Sequence, residues 1–90
     1  MNNTARKDYG ANYITVKVAH ADGSEVHFLI KKSIKMKWMK EDFAKRTKKS
    51  WHFLVFLTEE FERVKNDDTA ITLQLRDGAR ILVYENEHSG

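Results

Sequence analysis

A change of hydrophobic period partway along the chain constrains its fold more than any other feature. From Tyr13, the apolar residues Ile14, Val16 and Val18 alternate with Thr15 and Lys17, the pattern of a half-buried strand. Ala21-Asp22-Gly23-Ser24 then supplies turn chemistry, with Gly23 able to take a positive φ. Val26, Phe28 and Ile30 repeat the alternation against His27, Leu29 and Lys31, so the two runs make a hairpin. Ser33 follows as a candidate helix N-cap, and the period lengthens. Met36, Met39, Phe43 and Ala44 recur at helical spacing until about residues 46–49. That stripe reads as core, and Trp38 and Lys45 lie off it.

The rest of the chain adds strands and turns but no second helix. Leu54 and Phe56 mark a strand, residues 58–63 a turn, and residues 61–64 a short strand. After a polar loop at 66–69, Ile71, Leu73 and Leu75 suggest a short apolar turn. Arg76-Asp77-Gly78 turns the chain into a last strand at 81–84. One helix cannot cover both faces of a sheet. The expectation is therefore one α+β domain over 13–86, with a mixed sheet of four or five strands and the helix across one face. Residues 1–12 and 87–90 are polar, and flexible tails are expected there.

Composition removes several classes of chemistry. Without cysteine there are no disulfides, thiolate metal sites or cysteine nucleophiles. His20, His27, His52 and His88 show no zinc-ligand spacing. There is no glycine-rich phosphate loop, and Glu59, Glu60 and Glu62 read as a solvated turn rather than a catalytic pair. No enzyme, metal or cofactor is expected. No apolar run approaches the roughly 20 residues that span a bilayer, and residues 1–11 carry no secretory pattern.

Charge is uneven. The net +3 hides nine basic and two acidic residues between positions 31 and 49, against four and eight between 50 and 90. The basic run fits a solvated helix face that meets acidic peptides. With Trp38 and Trp51 nearby, it also fits a nucleic-acid-binding module, the alternative from a different class.

Five stretches, in order, resemble the small ubiquitin-like modifier (SUMO) family. They are Tyr13-Ile14-Thr15-Val16-Lys17-Val18, Asp22-Gly23-Ser24-Glu25-Val26-His27-Phe28, Glu41-Asp42-Phe43-Ala44-Lys45-Arg46, Arg63-Val64-Lys65-Asn66-Asp67-Asp68-Thr69 and Val83-Tyr84-Glu85-Asn86-Glu87. The resemblance runs from Tyr13 to Gly90 with about one inserted residue near Phe61. It implies a ubiquitin-like β-grasp, with the first and last strands central and the second strand at an edge.

The resemblance also implies a way of acting. The chain would be attached to target lysines through Gly90, after handling by SUMO activating and conjugating enzymes and a processing protease. It would be recognised by SUMO-interacting motifs, short hydrophobic peptides that add to the edge strand. Val26, Phe28, Ile30, Ile34, Met39 and Phe43 match the apolar part of that groove, Leu29 adds to it where the family has a lysine, and Lys31, Lys35 and Arg46 match its basic rim. A monomer in nucleus and cytoplasm is implied.

Departures accompany the match. Ser89-Gly90 stands where the family has Gly-Gly, and the family's acidic cluster falls on Arg76-Asp77-Gly78-Ala79, where only Asp77 is acidic. Leu29 and Trp38 replace two family lysines, Glu60 a turn glycine and Ala70 a loop proline. A SUMO-like interaction domain that is not conjugated is therefore the nearest alternative.

Overall fold

In the computed structural model, which describes residues 12–86, the two alternating runs become β1 (Tyr13–His20) and β2 (Glu25–Lys31). They pair antiparallel, with Val16 opposite Phe28 and Val18 opposite Val26. Gly23 closes the turn at φ 101°, a backbone state that side chains disfavour. The Ser24 amide donates to Asp22 Oδ1 at 2.8 Å and pins the same turn.

The helix, α1 (Met36–Thr47), begins differently from expectation. Ser33 is not its cap. Lys35 occupies the N-cap position without a side-chain cap hydrogen bond. The Met36 amide instead donates to the Asp68 carbonyl at 2.7 Å, and the Lys37 amide to the Asn66 carbonyl at 3.1 Å. A distant loop thus satisfies donors that every helix start leaves over. At the other end Lys48 holds φ 59°, a left-handed cap usually given to glycine.

A short 3-10 turn (Trp51–Phe53) leads into β3 (Leu54–Leu57), and β4 (Ala79–Glu85) completes the sheet. The order is β2-β1-β4-β3, with β1 and β4 parallel at the centre. The strand expected at 61–64 is reduced to a single bridge between Leu57 and Arg63. Phe61, at φ 67°, breaks the extended run before it. The Val64 amide still donates to the Phe56 carbonyl at 2.8 Å, so Val64 reaches the core. The sheet has four strands among the described residues.

The core lies between α1 and one face of the sheet. Ile14, Val16, Val18, Phe56, Ile81 and Val83 meet Met36, Met39, Phe43 and Ala44 there. Phe43 and Phe56 pack edge to face, with ring centroids 5.9 Å apart. Each fully buried side chain of this size contributes about 1.5–3 kcal/mol. Leu73 and Leu75 of the apolar turn pack against this cluster, while Ile71 is exposed. Asp77 ties the turn before β4 to β1, its Oδ1 accepting the Thr15 amide at 2.7 Å and hydroxyl at 2.8 Å.

Of the tails expected at 1–12 and 87–90, only Asn12 is described, and its carbonyl accepts the Lys32 amide at 2.7 Å. Residues 1–11 and 87–90, including Ser89 and Gly90, lie outside the described residues.

Candidate functional site

Strand β2 has β1 as its single neighbour in the sheet, so its other edge is open among the described residues. An open edge offers amide and carbonyl groups to an added strand. The period of two decides which side chains line it. Val26, Phe28 and Ile30 turn toward α1 and are half-buried against the core. Glu25, His27, Leu29 and Lys31 turn the other way and are exposed.

This parity divides the expected site residues between two faces and the core. Leu29, 55% exposed, and Lys31 belong to the opposite face of the sheet and do not line the groove. Met39 and Phe43 are 3% and 0% exposed, so they lie in the core beneath the groove rather than on its surface. The side chains brought together on the accessible surface are Val26, Phe28 and Ile30 from β2 and Arg46 from α1. Ile34 is exposed in the turn between strand and helix, where its amide donates to the Lys31 carbonyl at 3.1 Å.

Of the two remaining rim cations, Arg46 has a contact with β2 and Lys35 pairs with a loop residue. Arg46 is held from both sides, by Asp42 Oδ1 at 3.1 Å and by the Phe28 ring, whose centre is 6.0 Å from the guanidinium carbon. Lys35 Nζ lies 3.6 Å from Asp67 Oδ1, an exposed pair that a partner's carboxylate can replace at little cost.

The rest of the basic run is dispersed. Lys40 is buried, its Nζ donating to Asn66 Oδ1 at 2.9 Å, and burial pulls its pKa below the usual lysine value. Lys49 Nζ sits 2.6 Å from Asp22 Oδ2 at the β1–β2 turn. That contact, with the Ser24 amide, holds the Asp22 carboxyl well below the usual carboxylate range. Trp38 is exposed beside Lys37 Nζ, 5.1 Å from its ring centre. Trp51 instead packs against the core and stacks obliquely on His52 at 4.8 Å, so the two tryptophans do not form a shared platform.

His20 has a structural place that its spacing in the sequence did not signal. It is buried, its Nδ1 accepts the Asp22 amide at 2.9 Å, and its Nε2 lies 3.6 Å from Glu85 Oε2. No helix among the described residues is long and apolar enough to cross a membrane.

No protein-family model matches the chain. It is 38% identical over 80 residues to a small ubiquitin-related modifier of Caenorhabditis elegans, covering 89% of this chain and 87% of that protein. Among solved structures, a ubiquitin of Caldiarchaeum subterraneum superposes with a TM-score of 0.75 at 14% identity, covering 87% of this chain and 99% of the other. A de novo designed protein based on ubiquitin gives 0.76 at 14% identity, covering 90% and 96%. At that identity the structural likeness speaks for the fold alone. The ubiquitin-like β-grasp agrees with it in strand order and helix placement.

Proposed function

The chain belongs to the small ubiquitin-related modifier family, and on that premise we propose that it acts as a protein modifier, attached through Gly90 and read through the groove between β2 and α1. It is then a substrate of the conjugation enzymes rather than a catalyst. The activating enzyme adenylates the Gly90 carboxylate with ATP, releasing pyrophosphate, and its own thiol then displaces AMP to give a thioester. A target lysine ε-amine attacks that carbonyl, the thiol leaves, and an isopeptide bond remains. Nucleus and cytoplasm are the compartments that go with this role.

The observation that carries the recognition half is the open β2 edge with Val26, Phe28 and Ile30 turned toward the helix. A short hydrophobic peptide adds as a further strand, placing its side chains over Phe28 and Ile30. Acidic residues flanking it face Arg46 and Lys35. Affinity near micromolar, about −8 kcal/mol, is the expected scale.

The attachment half is tested with ATP and the activating and conjugating enzymes of the same organism. A thioester and lysine adducts should form and should vanish when Gly90 is removed. If a chain with its native terminus forms none while a hydrophobic-acidic peptide still binds, the domain is an interaction module that is not conjugated.

A further inference from the structure

The outward faces of β3 and β4 have the composition of covered surfaces. On β1 and β2, most residues pointing away from α1 are polar, among them Thr15, Lys17, Glu25, His27 and Lys31. By contrast β3 reads Leu-Val-Phe-Leu, and β4 carries Ile81-Leu82-Val83-Tyr84 with no alternation. Strands apolar on both sides are normally buried on both sides. Here α1 packs on one face; on the other, Ala19, Val55, Leu57 and Leu82 are half-buried and Tyr84 is exposed, with no second helix longer than one turn among the described residues.

Register collects these side chains into one patch. Leu82 pairs with Ala19 on one side and Leu57 on the other, and Tyr84 pairs with Val55. Ala19, Leu82 and Leu57 therefore form an apolar row across three strands, with Val55 and Tyr84 beside it. Tyr84 is 40% exposed. The chain's own residues 1–11 are too polar to supply a matching apolar stripe.

We propose that this face is a contact surface for a second copy of the chain. The outward stripe of β4 reads Arg80, Leu82, Tyr84, and it is complementary to itself. A two-fold axis crossing the strands at Leu82 lays the two sheets face to face with their β4 strands antiparallel. Leu82 then meets Leu82 of the second copy, and Arg80 meets the ring of Tyr84 of the second copy. Lys17, which pairs with Arg80, adds a second cation to the row facing that tyrosine. A guanidinium over an aromatic face is attractive, and sheets pack comfortably about 10 Å apart. Two-fold closure covers the patch on both copies and leaves none for further growth. Ala19, Val55, Leu57 and Leu82 are already half-buried in the single chain, so the contact covers little new apolar surface and association is weak and reversible. The groove of Val26 and Phe28 lies on the opposite face, so the contact is independent of peptide recognition.

Sedimentation velocity on the full chain tests this from about 10 µM to about 1 mM, the range a contact of that strength occupies. The wild type should move from one copy toward two as concentration rises. Leu82→Lys should stay monomeric throughout, and Arg80→Glu should weaken association by about tenfold or more. Circular dichroism melts verify that Leu82→Lys is folded. Should it not fold, Tyr84→Ser, at an exposed ring, must lose the association instead. A wild type that stays monomeric at the highest concentration overturns the inference. So does a dimer that persists in the folded variants.

Discussion

The Arg46 guanidinium lies 6.0 Å from the centre of the Phe28 ring, joining the helix to the edge strand across the mouth of the groove. On the proposed reading, a bound peptide touches both residues. Phe28→Ala should weaken a hydrophobic-acidic peptide by at least about tenfold, near 1.4 kcal/mol. Because Phe28 is half-buried at an edge, the fold should survive at a cost of about 2 kcal/mol. Leu29→Ala, on the opposite face, should leave affinity within about twofold, below 0.5 kcal/mol. Calorimetric titration separates these outcomes. Equal losses for both variants would contradict the assigned groove.

A second prediction concerns the loop that caps the helix. Asp68 Oδ2 accepts the Lys65 amide at 2.8 Å and Oδ1 accepts the Thr72 hydroxyl at 2.8 Å, while the Asp68 carbonyl takes the Met36 amide at 2.7 Å. The amide hydrogen bond from Lys65 leads the causes that lower the carboxyl pKa from its ordinary 3.8. A carboxyl with a depressed folded pKa contributes stability that is full above the unfolded value and lost as pH falls through the folded one. Unfolding midpoints should therefore drop below about pH 4. In Asp68→Ala this part of the acid loss should be absent, and stability near neutrality should be about 1 kcal/mol lower. Urea melts at pH 7 and pH 3 measure both effects.

The buried amine of Lys40 provides the third. Burial lowers its pKa from 10.5, with Arg63 adding to the effect and Asp68 opposing it. Between that lowered folded value and 10.5, the unfolded chain binds more protons, so stability should rise as pH climbs through this window. Holding that charge in a buried place is a cost to the folded state. Lys40→Met keeps the volume beside Phe56 and removes that cost, and Asn66, which is exposed, can turn to water. Replacing a buried charge with a well-packed apolar chain is often neutral or stabilising, and a gain of up to about 1 kcal/mol is expected here. The variant should also lose the alkaline rise. Chemical melts from pH 7 to pH 10.5 decide it, and a clearly destabilised variant would show that the bond to Asn66 outweighs the desolvation.

Much of this arrangement was legible in residue order. Alternation at Ile14, Val16 and Val18 places one face inward, and Val26, Phe28 and Ile30 repeat it, so the hairpin and its register follow from parity. The stripe Met36, Met39, Phe43 and Ala44 is the buried side of α1 as expected. Parity also separates Leu29 and Lys31 from Phe28, yet resemblance had grouped them all in one groove. The strand at 61–64 had the right residues but not the right backbone, because Phe61 turns left-handed within the hydrogen-bonded turn between Thr58 and Glu62. Nothing about a phenylalanine announces that conformation.

The residue order by itself determined the periods of β1, β2 and α1, the glycine turns at Gly23 and Gly78, and the side of each of those three elements that is buried. Those are local properties, set by steric preference and by the spacing of side chains a few bonds apart. Tertiary structure alone decided that carbonyls of Asn66 and Asp68, rather than Ser33, cap the helix. It alone decided that Lys40 turns inward, that Arg46 faces Phe28, and that Leu57, Leu82 and Tyr84 share one face. Each of those depends on which distant segments come together. That is governed by how the whole core packs, which no short stretch of sequence contains.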